Sequence, residues 1–267
     1  MLDFINGNKF LEIADFAIDF DHNNINTNIY KKNAIIYCKT DFLNQLFEFI
    51  KFSNRKYILI SHMSDYPIYE QIFKKAPNCI KKWYAENAIY EHQNLIPIPI
   101  GLENHEGKSK GKFTNHEWFI NNYKRLKSLE KDSAFYCNWN QNTNKEIRVP
   151  IINQLKNNNL EIIAESGLSF EKYCENMAKH QFIICPPGNG ADTHRLWESL
   201  YLGCYPITLQ NRIYENYNLP ILQLRKWSDL NLKLVEDHII KWKDKIDFEQ
   251  LSMNYWINLI KEHFKNL

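Results

Sequence analysis

The chain lacks a surplus of charge of one sign: 33 Lys and Arg against 31 Asp and Glu leave a formal net charge of +2 over 267 residues. A nucleic-acid partner calls for clustered cations interleaved with exposed aromatics, and the one basic stretch, Lys108 to Lys112, is too short for that role. Nucleic acid is therefore not an expected partner. Paired cysteine spacing is missing as well. Cys38, Cys79, Cys137, Cys174, Cys185 and Cys204 are dispersed with no CxxC, several of them inside apolar runs. That argues against a zinc site and against a disulfide framework, and the thiols read as reduced. No HExxH and no GxSxG occurs, which removes the helical zinc hydrolases and the serine-elbow hydrolases. Residues Met1 to Phe10 contain no long apolar core, so neither a signal peptide nor a membrane anchor is expected. The expected setting is cytoplasmic, with room for peripheral contact at the inner face of a membrane. No repeat with a solenoid period is present.

What is there suits a globular protein of two modest domains, with 44% hydrophobic and 24% charged residues. Short apolar runs alternate with helical periodicity. Ala34 to Cys38, Tyr57 to Ile60, Ile80 to Tyr84 and Leu95 to Ile100 read as buried strands, and Thr40 or Asp41 can cap a helix through Ile50. The later runs end in polar clusters, Ser61 to Pro67, Ala85 to Asn87 and Gly101 to Asn104, at the edge where open parallel sheets hold ligands. A boundary is expected near Lys131. A second series follows, with strands expected at Ala134 to Cys137, Leu160 to Ala164, Phe182 to Cys185, Tyr205 to Leu209 and Ile221 to Leu224. The expected fold is α/β: two Rossmann-like domains, 1–131 and 132–267, facing a central cleft, with a helical C-terminal tail that carries Trp256, Ile260 and Phe264 on one face.

The stretch from Phe182 to Ile207 carries the most chemistry. A strand leads into Cys185-Pro186-Pro187-Gly188-Asn189-Gly190, then a helix from Asp192 that stops at Gly203. Gly188 and Gly190 let the backbone turn tightly and approach a ligand, and the helix start offers unpaired N–H groups to an anion such as a diphosphate. Asp192 is placed to cap that helix. Arg195 and Glu198 are three apart and share a face, away from most of the apolar stripe of Leu196, Trp197, Leu200 and Tyr201. An arginine fork there can hold phosphate oxygens, and a carboxylate one turn on can accept from ribose hydroxyls. The alternative is an intrahelical ion pair on a solvated face. Arg148, after the polar loop Asn138 to Asn144, is a second candidate for the diphosphate. Arg225 and Lys226 read as solvated charges.

The full spacing, Pro-x-Gly-x-Gly-x-Asp-x-x-Arg-x-Trp-Glu-x-Leu-x-x-Gly-x-x-Pro-Ile, resembles the donor-site signature of exostosin-like glycosyltransferases. Trp83 to Asn87 followed by Ile96 to Leu102 is similar to the N-terminal half of small exostosin-like and xylosyltransferase-like proteins. The resemblance implies the two-domain fold called GT-B and transfer of a sugar, with inversion, from a nucleotide diphosphate, generally UDP. It implies no metal, and a glycan, glycolipid or polyol-phosphate acceptor. By it, Arg195 meets the diphosphate and Glu198 the ribose, Gly188, Asn189 and Gly190 line the phosphate turn, and Asp192, Thr193 and His194 complete the helix start. Pro187 stands where many relatives carry arginine.

Inverting transfer needs a base for the acceptor hydroxyl, which this fold usually supplies from its N-terminal half. Asp65, His62, Glu86 and Glu103 are the candidates at strand ends, and Asp65 is favoured because the Ser- and His-rich turn around it can orient it. Asp19-Phe20-Asp21 matches the DxD by which a different glycosyltransferase fold holds a metal, but it precedes the first expected strand, and positive side chains take the metal's role. Two alternatives stand beside the leading reading. One is a GDP-fucose-dependent fucosyltransferase-like enzyme, whose family usually has a lysine where this helix has none. The other is a nucleotide- or glycan-binding module without turnover.

Overall fold

The computed structural model describes residues 2–18, 27–30, 32–104, 114–156, 158, 160–244 and 248–267. Asp19 to Asp21 and Lys108 to Lys112 lie outside the described residues. The chain packs as two compact units, Met1–Ile100 with Gly190–Asp192 and Ser252–Leu267, and Gly101–Asn189 with Thr193–Leu251. These spans differ from the expected 1–131 and 132–267.

The first unit holds a parallel sheet of β1 (Phe16–Ile18), β2 (Ala34–Lys39), β3 (Tyr57–His62), β4 (Ile80–Ala85) and β5 (Leu95–Pro97), in the order β1-β2-β3-β4-β5. A strand therefore precedes the DxD, contrary to the reading of the sequence. The apolar runs of β2 and β3 are continuous because both faces of the sheet are covered. Ile36, Cys38, Leu59 and Trp83 join Leu46, Phe47 and Ile50 of the helix Leu43–Ile50 in one core. Tyr84 lies on the opposite face, bonding His263 of the helix Met253–Lys265 through its hydroxyl. The tail helix is thus part of the first unit, with Trp256 and Ile260 buried. The expected cap at Thr40 or Asp41 does not form. The helix instead grows out of a 3-10 turn, Thr40–Phe42, with no side-chain cap at Phe42, and Asp41 sits 3.7 Å from Lys39.

The second unit holds β6 (Asp132–Asn138), β7 (Ile162–Glu165), β8 (His180–Ile184), β9 (Tyr205–Leu209) and β10 (Leu222–Leu224), all parallel, in the order β10-β9-β8-β6-β7. The chain goes outward from β6 to β7 and then returns to the other side of β6 to lay down β8. Connections that leave in opposite directions part at the ends of β6 and β8, the place where such sheets bind ligands. Phe135, Phe182, Ile184 and Ile207 pack in the core beneath, and Gly203, at φ +73, ends the helix His194–Tyr201 ahead of β9. Among the described residues no helix is long and apolar enough to cross a membrane.

Ile260→Ala should lower unfolding stability by about 2–5 kcal/mol, the cost of a large-to-small change in a closed core. Urea unfolding followed by tryptophan fluorescence measures this, and a change below about 0.5 kcal/mol would mean that the tail helix does not cover the first sheet.

Candidate functional site

Within the second unit, the reversal at β6 and β8 brings two loops together. The loop after β6 leads through Asn140 and Asn144 into the short helix Lys145–Arg148, and β8 runs into Cys185 to Asn189. Asn144 Nδ2 donates to the carbonyl of Gly188 at 2.8 Å, and Arg148 Nε donates to that of Pro187 at 2.9 Å. Arg148 Nη1 donates to the Asn140 carbonyl at 3.0 Å, so one guanidinium ties both loops. Arg148 is only 5% exposed. Burial, and then the charge of Arg195, pull its pKa down to about 10. Arg148 thus lies beside the Gly188-Asn189 turn within electrostatic range of Arg195, and among the described residues no carboxylate forms an ion pair with either. Asn189 itself is exposed.

Arg195 lies in the first turn of the helix His194–Tyr201, half-buried, with its Nε shielded and lacking a hydrogen-bond partner. Its guanidinium sits 5.9 Å from the centre of the Tyr173 ring. Glu198 departs from the expectation of an open face. It is 4% exposed and accepts from the Tyr173 hydroxyl at 2.8 Å, so the intrahelical pair with Arg195 does not form. Beyond its first turn the helix is buried all round, Leu196 to Tyr201, which the apolar stripe alone does not indicate. Burial raises the pKa of Glu198, while His194, the Tyr173 bond and Arg195 pull the other way. His194 Nδ1 donates to the carbonyl of Gly101 at 2.8 Å. Thr193 occupies the N-cap position, and its side chain makes no cap bond there.

Asp192, expected as the cap, has another partner. It is buried in the first unit, and its Oδ2 accepts from the N–H of Ile100 at 2.9 Å. In the same unit Asn87, left-handed at φ 54 just past β4, takes the N–H groups of Ala191 and Asp192 on its Oδ1 at 3.0 and 2.9 Å. Its Nδ2 donates to the Ser64 carbonyl at 3.1 Å. A Cβ on Gly190 would lie 2.9 Å from Asn87 Nδ2 and 3.3 Å from Asp65 Oδ1. Close approach, rather than unusual torsion, is what requires glycine at this position.

Three of the four candidate bases, Asp65, His62 and Glu86, are neighbours in the first unit. Asp65 is exposed at the end of β3, in the first unit. Glu86, beyond β4 in the same unit, is 1% exposed and faces His62 Nδ1 at 3.1 Å. Burial, with Asp192 adding, raises its pKa to about 8, against the N–H groups of Met63 and Ser64, which stabilise the anion. His62 Nε2 lies 3.0 Å from the Pro99 carbonyl, which can only accept, so the ring proton is assigned to Nε2, and Nδ1 accepts from the N–H of Met63 at 2.8 Å. Glu103 falls in the second unit, exposed, accepting from Asn115 Nδ2 at 2.7 Å. Its proximity to Glu198, whose pKa it nudges upward, was not anticipated. Tyr173, Asn87, Asn140 and Asn144 were missed as well. Asn87, Asn140 and Asn144 lay inside stretches already singled out, and Tyr173 did not. Among the described residues no group of three or more His, Cys, Asp or Glu side chains gathers as a metal site.

The glycine turn lies at the switch point of a parallel sheet, the place where open α/β sheets hold their ligands. The comparison with known families agrees: residues 66–242 match the exostosin GT47 domain, and the chain belongs to that family. A probable glycosyltransferase of Arabidopsis thaliana is 30% identical over 90 residues, covering 33% of this chain. The aligned part spans 18% of that plant protein, so the chain corresponds to less than a fifth of its length.

Two outcomes follow from the environments of Gly190 and Glu86. Gly190→Ala should destabilise by about 1–3 kcal/mol, since the new Cβ meets the Asn87 amide, and Asn87→Gly combined with it should restore part of that loss. Denaturant midpoints of the single and double variants test this. For Glu86, both folded and unfolded chains carry the proton below the ordinary value of 4.5. Between 4.5 and about 8 the unfolded chain releases it and the folded one keeps it, so stability falls as pH rises through that window. Glu86→Gln should therefore gain in Tm relative to wild type from pH 5 to pH 8, and a pH-independent difference would contradict the raised pKa.

Proposed function

We propose that the chain transfers a single sugar from a nucleotide-diphosphate sugar, a UDP-sugar by family resemblance, to a glycan, glycolipid or polyol-phosphate acceptor. The observation that carries this reading is the like-charged pair Arg148 and Arg195 beside the Gly188-Asn189 turn. Two guanidinium groups in each other's field, one of them buried, are stabilised by an anion that bridges them, and a diphosphate has the charge and the oxygens for both. Fixed cations of this kind stabilise the charge that grows on a nucleoside diphosphate as it leaves, the role a metal plays in other transferases. The proposed reaction is therefore metal-independent and needs no further cofactor.

Glu198 is proposed to accept from the ribose hydroxyls, oriented by Tyr173. Asp65 is proposed as the base that deprotonates the acceptor hydroxyl while it attacks the anomeric carbon, giving inversion. Glu86 suits that role less well because it is buried and holds its proton near neutral pH. A cytoplasmic setting and contact with a membrane-bound acceptor belong to the same proposal.

UDP should raise the melting temperature of the wild-type chain. Arg195→Ala and Arg148→Ala should weaken both UDP and inorganic diphosphate by at least about tenfold, the loss of one charge-assisted contact. Glu198→Gln should weaken UDP alone, because diphosphate has no ribose. Calorimetric titration separates these cases. Indifference of the wild-type chain to UDP and GDP, together with failure to release sugar from a panel of nucleotide sugars, would reject the reading, and nucleotide binding without transfer to any acceptor would reject the transferase part of it.

A further inference from the structure

A cavity of about 640 Å³ lies in the first unit, away from every residue assigned above. It is lined by the connection into β4, by the start of β4 and by the connection into β5, so it opens near the edge from which those strands depart. Asp65 and Glu86 lie beyond the opposite ends of their strands, Glu86 about 10 Å along β4 from Trp83 in the cavity lining. The volume is within the range of about 300–1,000 Å³ found for small-molecule sites.

Its lining has a definite chemistry. Phe73, Trp83, Tyr90 and His92 form a ring cluster, with Phe73 centred 4.5 Å from His92, 5.6 Å from Tyr90 and 6.0 Å from Trp83. Trp83 is fully buried, and its indole N–H is spent on Ser61 Oγ at 2.8 Å, so it adds hydrocarbon rather than a donor. Asn78 and Asn94 also line the cavity. His92 Nδ1 accepts from the N–H of Asn94 at 3.0 Å, which assigns the imidazole proton to Nε2 and makes that nitrogen a donor. The two lysines at the rim are engaged: Lys74 pairs with Glu70 at 2.8 Å, and Lys81 Nζ donates to the Asn78 carbonyl at 2.7 Å. Ring faces alternate with neutral amide and imidazole groups, and of the two rim lysines Lys74 is paired with a carboxylate while Lys81 meets a neutral carbonyl. An alkyl chain would strand the polar groups. A neutral sugar ring has an apolar face for the aromatics and hydroxyls for the amides.

We propose that this cavity binds a segment of a neutral oligosaccharide, at a site separate from the nucleotide turn. The proposal stands on the cavity alone and does not require the transferase reading. The test titrates the full chain with maltohexaose, xylohexaose and chitohexaose, following tryptophan fluorescence and backbone amide shifts. At least one of the three should give a saturable response with shifts centred on Tyr90, His92 and Asn94. Asn78→Trp, which places an indole at an exposed position on the wall without removing any packing, should weaken that response at least tenfold, and so should Tyr90→Ala. The UDP-dependent thermal shift should persist in both variants and in the presence of saccharide. The proposal is overturned if none of the three saccharides responds up to about 10 mM, if Asn78→Trp leaves the response intact, or if UDP competes with it. Loss of UDP binding in the wild-type chain would bear on the nucleotide reading and not on this one.

Discussion

The site depends on a repulsion held in place by backbone. Arg148 and Arg195 would separate if their side chains were free, since burial and like charge both oppose the arrangement. Arg148 is pinned instead by two carbonyls, those of Pro187 and Asn140, which belong to loops leaving neighbouring strands. Those carbonyls come together only because β8 returns to the side of β6 that β7 does not occupy. The strand order therefore determines the electrostatics of the turn. Pro187 contributes here through its main chain.

Glu198 and Glu86 show how one residue type takes different duties according to its surroundings. Both are buried, and burial raises the pKa of each. At Glu198 the neighbouring His194 and Arg195 and the bond from the Tyr173 hydroxyl oppose that shift. Glu86 lies instead near two other carboxylates, Asp192 and Asp65, and against His62, so that it keeps a proton and serves to hold the ends of β3 and β4 together. In the same region Asn87 receives two successive N–H groups of the Gly190–Asp192 segment on one amide oxygen, a small device that leaves no room for a side chain at Gly190. The aromatic cavity beneath β4 and β5 shares none of these groups, which is why its ligand can be argued on its own chemistry.

Much of the fold could be read directly. The apolar runs announced nine of the ten strands among the described residues almost to their ends, with β1 overlooked, because burial on both faces leaves a continuous hydrophobic signature that tolerates little ambiguity. The family was legible for a different reason: a glycine turn followed by a fixed series of polar and apolar positions constrains many residues at once, and the match over residues 66–242 agrees with it. Helix caps were less visible. Asp192 and Thr40 have the right residue type at the right position, but the partner that each finds is a matter of distant segments, and Asp192 takes the N–H of Ile100 instead.

The sequence by itself determined the periodicities, the glycine turn, the arginine and glutamate that follow it, and the balance of charge, all of which are properties of near neighbours along the chain. Only the tertiary structure decided the order of the strands, the burial of Glu198 beneath Tyr173, the meeting of Arg148 with Arg195, the covering of the first sheet by the last helix, and the grouping of Phe73, Tyr90 and His92 around a cavity. Each of these pairs residues far apart in the chain. Their proximity follows from which strand lies beside which, and local spacing carries no record of that.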